Sequence, residues 1–137
     1  MAFDKIKPGL KGEASCLVGK YDLASAYGNP GVEVLSSMTL MTLLEKACLN
    51  ALQNSLGPKD MSVGARMEMD HLAPTPEGFR VTAQAELAEA NGRKLVFQIS
   101  AADDLEQVAR AVHVRYLVDR PGFLEKVDAK ADRRTEK

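Results

Sequence analysis

The chain has 137 residues, 45% of them hydrophobic, and its 18 Lys and Arg nearly balance 19 Asp and Glu for a formal net charge of -1. That length fits one domain around one core. The charge balance argues against a nucleic-acid binder, which needs a basic face, and no run of about 18 apolar residues exists to cross a membrane as a helix.

Residues 1–12 carry lysines with no apolar stretch behind them, so no signal peptide is expected and the location is read as cytoplasmic. Residues 1–11 are expected to form a loose arm, and 13–18, with Leu17 and Val18, a first strand. Cys16 and Cys48 lack metal-ligand spacing and are read as reduced, buried thiols. Tyr27-Gly28-Asn29-Pro30-Gly31 is dense in turn residues and reads as a loop.

The strongest helix signal follows, over about 37–55. Leu40, Leu43, Leu44, Ala47, Cys48, Ala51 and Leu52 recur at three- and four-residue spacings. Ser36 and Ser37 are both candidate N-caps, since a hydroxyl can accept from a first-turn amide. Gly57-Pro58 closes the helix. The rest is β. Residues 61–72 form one extended segment interrupted at Gly64, and 74–78 a turn. From Phe79 to Leu87 apolar and polar residues alternate, Asn91-Gly92 predicts a hairpin with both residues at positive φ, and Leu95, Phe97, Ile99 and Ala101 share one face of the return strand. A last strand over 108–118 sets Val108, Arg110, Val112, Val114 and Tyr116 against Ala109, Ala111, His113, Arg115 and Leu117. Residues 120–137 turn charged and are expected to be a frayed or partly helical tail.

A helix apolar over most of its circumference must be wrapped, and the strands are each apolar on one face. The expectation is a single α+β domain, residues 1–137 with a core at about 12–119, in which a curved antiparallel sheet wraps one long central helix. Pairing sheet edges in a dimer would protect them.

Glu45 stands out as a candidate for chemistry. It lies off the polar stripe of Thr39, Thr42, Lys46, Asn50 and Gln53, beside Met38, Met41, Cys48, Leu49 and Leu52. Burying a carboxylate there costs several kcal/mol (about 2–7 for a polar group alone) unless partners compensate. A desolvated carboxylate suits a general base or nucleophile, while pairing with a base or reaching solvent is the plainer reading. His71 sits at a strand end before a turn, an accessible and rigid place. His113, in mid-strand, reads as structural. Gly64 marks a bulge or a close approach to a ligand. Ser36 and Ser37 are caps first, with a second possible use in orienting a substrate at the positive helix end. The methionines read as core or pocket lining, and no phosphate loop, nucleophile elbow or His/Glu metal motif is present, so no metal or cofactor is expected.

Ser37, then Glu45, then Gly64-Ala65-Arg66-Met67-Glu68-Met69-Asp70-His71-Leu72-Ala73-Pro74-Thr75-Pro76 resemble the fluoroacetyl-CoA thioesterase-like family of hotdog proteins, over about residues 12–118. The resemblance implies a hotdog homodimer, or a tetramer of two such dimers, with active sites near the subunit interface. It implies hydrolysis of an acyl-CoA by a Thr/Glu/His constellation, with a glycine at the thioester oxygen. By position Glu45 matches the carboxylate, His71 the histidine and Gly64 the glycine. Ser37 stands where the family usually has threonine, and Met38 where proline is frequent. Ser36 and Ala65 join Gly64 as candidates for binding the oxyanion or substrate, and Arg66, Arg80, Arg93 and Lys94 for meeting CoA phosphates. The loop before the helix does not single out fluoroacetyl as the acyl group. The rival functions are a non-catalytic hotdog that binds or senses acyl-CoA, an enoyl-thioester hydratase, whose acid and histidine usually stand five apart, and a plain dimerisation module.

Overall fold

In the computed structural model, which describes residues 5–135, helix α1 (Ser37–Leu52) buries the expected set, Leu40, Leu43, Leu44, Ala47, Cys48, Ala51 and Leu52. Ser36 is its N-cap: the Thr39 N–H donates to Ser36 Oγ at 3.0 Å. The helix ends at Leu52, and the Ser55 N–H bonds the Leu52 carbonyl in the turn that follows.

Five strands curl around that apolar face: β1 (Lys11–Leu17), β2 (Asp60–His71), β3 (Arg80–Asn91), β4 (Lys94–Ala102) and β5 (Gln107–Asp119). They form one antiparallel sheet in the order β1-β3-β4-β5-β2, so β1 and β2 are its edges. Val81, Ala83, Ala85 and Leu87 of β3 and Leu95, Phe97, Ile99 and Ala101 of β4 point inward against α1, as their alternation predicts. Each large side chain so buried stabilises the fold by about 1.5–3 kcal/mol before entropy is counted.

The helix is not centred over the sheet. It packs chiefly on β1 and β3, and Gly12 is what lets it come so close. A Cβ at Gly12 would lie 2.2 Å from the Ala47 carbonyl oxygen and 2.3 Å from the Ala51 nitrogen. On the opposite side, toward β2 and β5, side chains bridge a wider gap, and there the polar residues gather.

Three local features depart from expectation. The β3–β4 hairpin turns on Gly92 and Arg93, with Asn91 and Lys94 as the closing pair, and only Gly92 has positive φ. Glycine at the first central position of a two-residue turn gives the II′ form, so Asn91 stays in the strand. The arm is tied down: Ile6 is buried, and the Gly9 N–H bonds the Leu87 carbonyl at 2.8 Å. The tail forms a regular helix, α2 (Arg120–Thr135), with no buried residue. Asp119 starts it by accepting from the Gly122 N–H at 2.9 Å, and Pro121 is tolerated in the first turn because its missing N–H would have had no partner.

Candidate active site

The polar residues between α1 and the β2–β5 side of the sheet fall into two groups. The first lies at the N-terminus of α1. There Ser37 Oγ is 2.8 Å from His71 Nδ1, while His71 Nε2 is buried without a partner among the described residues. The meeting is built by the chain on either side. The Leu35 N–H bonds the Thr75 carbonyl at 2.8 Å, and the buried Thr75 hydroxyl donates to Asp103 at 2.9 Å. The turn after β2 is therefore clamped to the segment leading into α1, which brings the strand end and the helix start together. Burial pushes the His71 pKa below the ordinary imidazole value, with the Ala73 backbone opposing.

The second group surrounds Glu45. Its Oε2 is 3.4 Å from Arg115 Nη1 and 3.4 Å from His113 Nε2. Gly64 faces the same carboxylate: a Cβ there would come within 3.0 Å of Glu45 Oε2 and 3.2 Å of Arg115 Nη1. The register of β2 against β5 slips at this point, with Gly64 opposite Arg115, Arg66 opposite Val114, and Ala65 left over as the extra residue of a bulge. Arg115 is held from below by Ser62, its Nε donating to Oγ and its Nη2 to the carbonyl, both at 2.9 Å.

Glu45 is less buried than its place on the helix suggested. Its side chain is 46% exposed, whereas Arg115 and His113 are nearly enclosed. It is the basic partner that is desolvated, and burial lowers the Arg115 pKa while Glu45 raises it. Cys48 beneath is a neutral thiol, its pKa pushed up to about 12 by burial, with Arg115 lowering and Glu45 raising it. Cys16 is also free and only partly buried.

The two groups are not in contact. Ser37 and Glu45 are eight residues apart on one helix, about 12 Å along its axis. Ser36 belongs to neither, because its buried hydroxyl is committed to the cap and also donates to Thr39 Oγ1. The four cations considered for CoA are dispersed. Arg66 pairs with Glu68 on β2, Arg80 bonds Ser15 near the opposite edge, and Arg93 sits in the β3–β4 turn with Lys94 just after it. Among the described residues no cluster of His, Cys, Asp and Glu could hold a metal ion, and no helix is long and apolar enough to cross a membrane.

His113 and Arg115 are the residues that sequence reasoning did not assign to the site. A signal for them existed. They share the phase of Ala109, Ala111 and Leu117, which face the core, so a charged side chain was being carried inward. An inward charge needs a partner, and Glu45 is it.

The family of fluoroacetyl-CoA-specific thioesterases matches residues 18–121. The fluoroacetyl-CoA thioesterase of Streptantibioticus cattleyicolor is 34% identical over 103 residues, 75% of this chain and 71% of that protein. A crystal structure of a variant fluoroacetyl-CoA-specific thioesterase superposes with a TM-score of 0.84 at 27% identity, covering 93% of this chain and 98% of that one. A hot-dog-like protein from Thermanaerovibrio acidaminovorans shares the fold, with a TM-score of 0.86 at 22% identity over 95% of this chain and 97% of its own. With the match spanning both halves of the site, the chain belongs to the fluoroacetyl-CoA-specific thioesterase family.

Proposed function

We propose that this protein hydrolyses an acyl-CoA thioester, using Glu45 as the catalytic carboxylate. The observation that carries the reading is the carboxylate itself, standing over the side-chain-free Gly64 and oriented by a buried guanidinium. Gly64 leaves room for a thioester carbon close to Glu45, and the amides of the Gly64–Ala65 bulge are the donors we assign to the carbonyl oxygen. Glu45 supplies an electron pair, either to the carbonyl carbon directly or to a water it deprotonates. The C–S bond breaks and the CoA thiolate takes up a proton; in the direct route water then hydrolyses the acyl–Glu45 anhydride and frees the carboxylate, and in either route the products are the free acid and CoA. No cofactor enters that balance. The cytoplasm, where CoA esters occur and thiols stay reduced, suits Cys16 and Cys48.

His71 and Ser37 complete the site from a second copy of the chain. Ser37, with His71 of β2 against it, lies about 12 Å along α1 from Glu45, too far to serve the Glu45 of the same subunit. Met38, Met41 and Leu49 form an exposed apolar stripe on α1 with Glu45 among them, and β2 offers a free sheet edge beside it. In an isologous dimer with its two-fold axis near Met41, midway between Ser37 and Glu45, each Glu45 meets the Ser37–His71 pair of the other copy. His71 Nε2 then gains what it lacks, a reacting group to protonate or orient.

Two assays test the reading. Purified protein given short, medium, aromatic and halogenated acyl-CoAs should release thiol from at least one, whereas saturable binding without release would favour an acyl-CoA sensor. Glu45→Gln and His71→Ala proteins, each inactive alone, should recover about a quarter of wild-type activity when unfolded together and refolded as mixed dimers. No recovery would place each site within one chain.

A further inference from the structure

Catalysis by Glu45 leaves no part for His113, yet this histidine is buried and its ring is bonded on both sides. Its Nδ1 lies 2.8 Å from the Arg66 carbonyl oxygen, which can only accept, so Nδ1 carries a proton. Its Nε2 lies 3.1 Å from Arg115 Nη1, which can only donate, so Nε2 presents its lone pair. The ring is therefore neutral, with its tautomer set by the backbone of β2. In this state His113 does not bond Glu45, although Nε2 and Oε2 are 3.4 Å apart. It holds one Nη1 hydrogen of Arg115 while Ser62 holds the Nε and Nη2 sides. The remaining Nη1 hydrogen is left to face the carboxylate.

Resting on the assignment of Glu45 as the catalytic carboxylate, we propose that His113 is a positioning residue: in its neutral, Nδ1–H form it fixes Arg115, which orients Glu45 through Oε2 and leaves the other carboxylate oxygen to react. Protonation at Nε2 reverses this. The new N–H opposes the Arg115 N–H, breaks that bond and sets a second cation against Glu45 Oε2, so Arg115 no longer holds the carboxylate in place and the carboxylate becomes a weaker base and nucleophile. The groups facing the ring are Glu45 from α1, Arg115 from β5 and the Arg66 carbonyl from β2, while Cys48, which neighbours Arg115 and Glu45, remains a neutral thiol. Burial lowers the His113 pKa below the ordinary imidazole value; the Arg66 backbone and Glu45 raise it and Arg115 lowers it further.

The test compares kcat/KM against pH for wild type, His113→Gln and His113→Leu, with 15N NMR of the His113 ring in wild type and Glu45→Gln. The Gln oxygen can accept from Arg115 but cannot become cationic. It should restore several-fold more turnover at pH 8 than Leu, which is expected to lower kcat about tenfold with KM little changed. The acid limb of the wild-type profile should track the NMR midpoint of His113, and in His113→Gln it should move to lower pH by more than about one unit. The ring should show Nδ1–H at pH 8, and Glu45→Gln should lower its midpoint. An unshifted acid limb in His113→Gln, or an Nε2–H ring, would overturn the proposal. A wild type that cleaves no acyl-CoA overturns the thioesterase reading instead, and the ring tautomer and the Glu45→Gln shift then decide the contact alone.

Discussion

Helix α1 is approached by a glycine on each side, and the two do different work. Gly12 of β1 meets the helix backbone, with the space for its Cβ already filled by Ala47 and Ala51. For Gly64 of β2 the nearest atoms belong to side chains, those of Glu45, Arg115 and His113. Where the strand touches helix backbone, glycine sets the distance between sheet and helix, which is a matter of folding. Where it touches the tips of a carboxylate and a guanidinium, glycine leaves a space in which chemistry can happen. The same pattern recurs in the adjacent serines, with Ser36 committed to the helix cap and Ser37 turned to His71.

Substitutions at these positions should separate stability from turnover. Gly12→Ala is expected to act on folding, because helix backbone cannot yield as a side chain can. A loss of about 3 kcal/mol or more is expected in urea unfolding, with the activity of the molecules that still fold largely kept. Gly64→Ala should do the opposite. The nearest contact, the half-exposed Glu45 carboxylate, can yield, so the melting temperature should move far less than at Gly12 while kcat falls at least about tenfold as the carboxylate is displaced. Equal effects at the two glycines would collapse the distinction.

The serine pair gives a smaller version of the contrast. Ser36→Ala removes the cap and should cost about 1 kcal/mol of stability, with kcat nearly unchanged. Ser37→Ala, at an exposed position, should leave stability alone and lower kcat. Smallest is the effect of acid on stability. His71 and His113 both have pKa values lowered from the ordinary 6.5, so the unfolded chain binds more protons than the folded one between those values and 6.5. Stability should fall as pH drops through that window and be level in this respect above it. Urea midpoints measured from pH 8 to 5 should show the decline, and His113→Gln should lessen it.

The fold was legible where one periodicity dominated. The three- and four-residue spacing from Leu40 to Leu52 and the alternation from Val81 to Leu87 each have a single way to bury their apolar members. The tail helix was harder to read because nothing buries it. Phe123, Leu124 and Val127 leave too little apolar surface to announce a helix, and its charged residues are compatible with either state. At the site, Glu45 and Gly64 announced themselves by being out of place, a carboxylate off the polar stripe and a glycine inside a strand. His113 and Arg115 were out of place too, on the inward phase of β5. Their partner lies on a distant element, however, and one-dimensional spacing does not report which charges meet across a fold.

The central claim is that Glu45 is the carboxylate at which an acyl-CoA is cleaved. Thiol release from an acyl-CoA panel by wild type and Glu45→Gln, at equal concentrations of folded protein, tests it most directly. The account predicts turnover of at least one ester by wild type and a loss of at least about a hundredfold in the variant. Comparable thiol release by both proteins would contradict it.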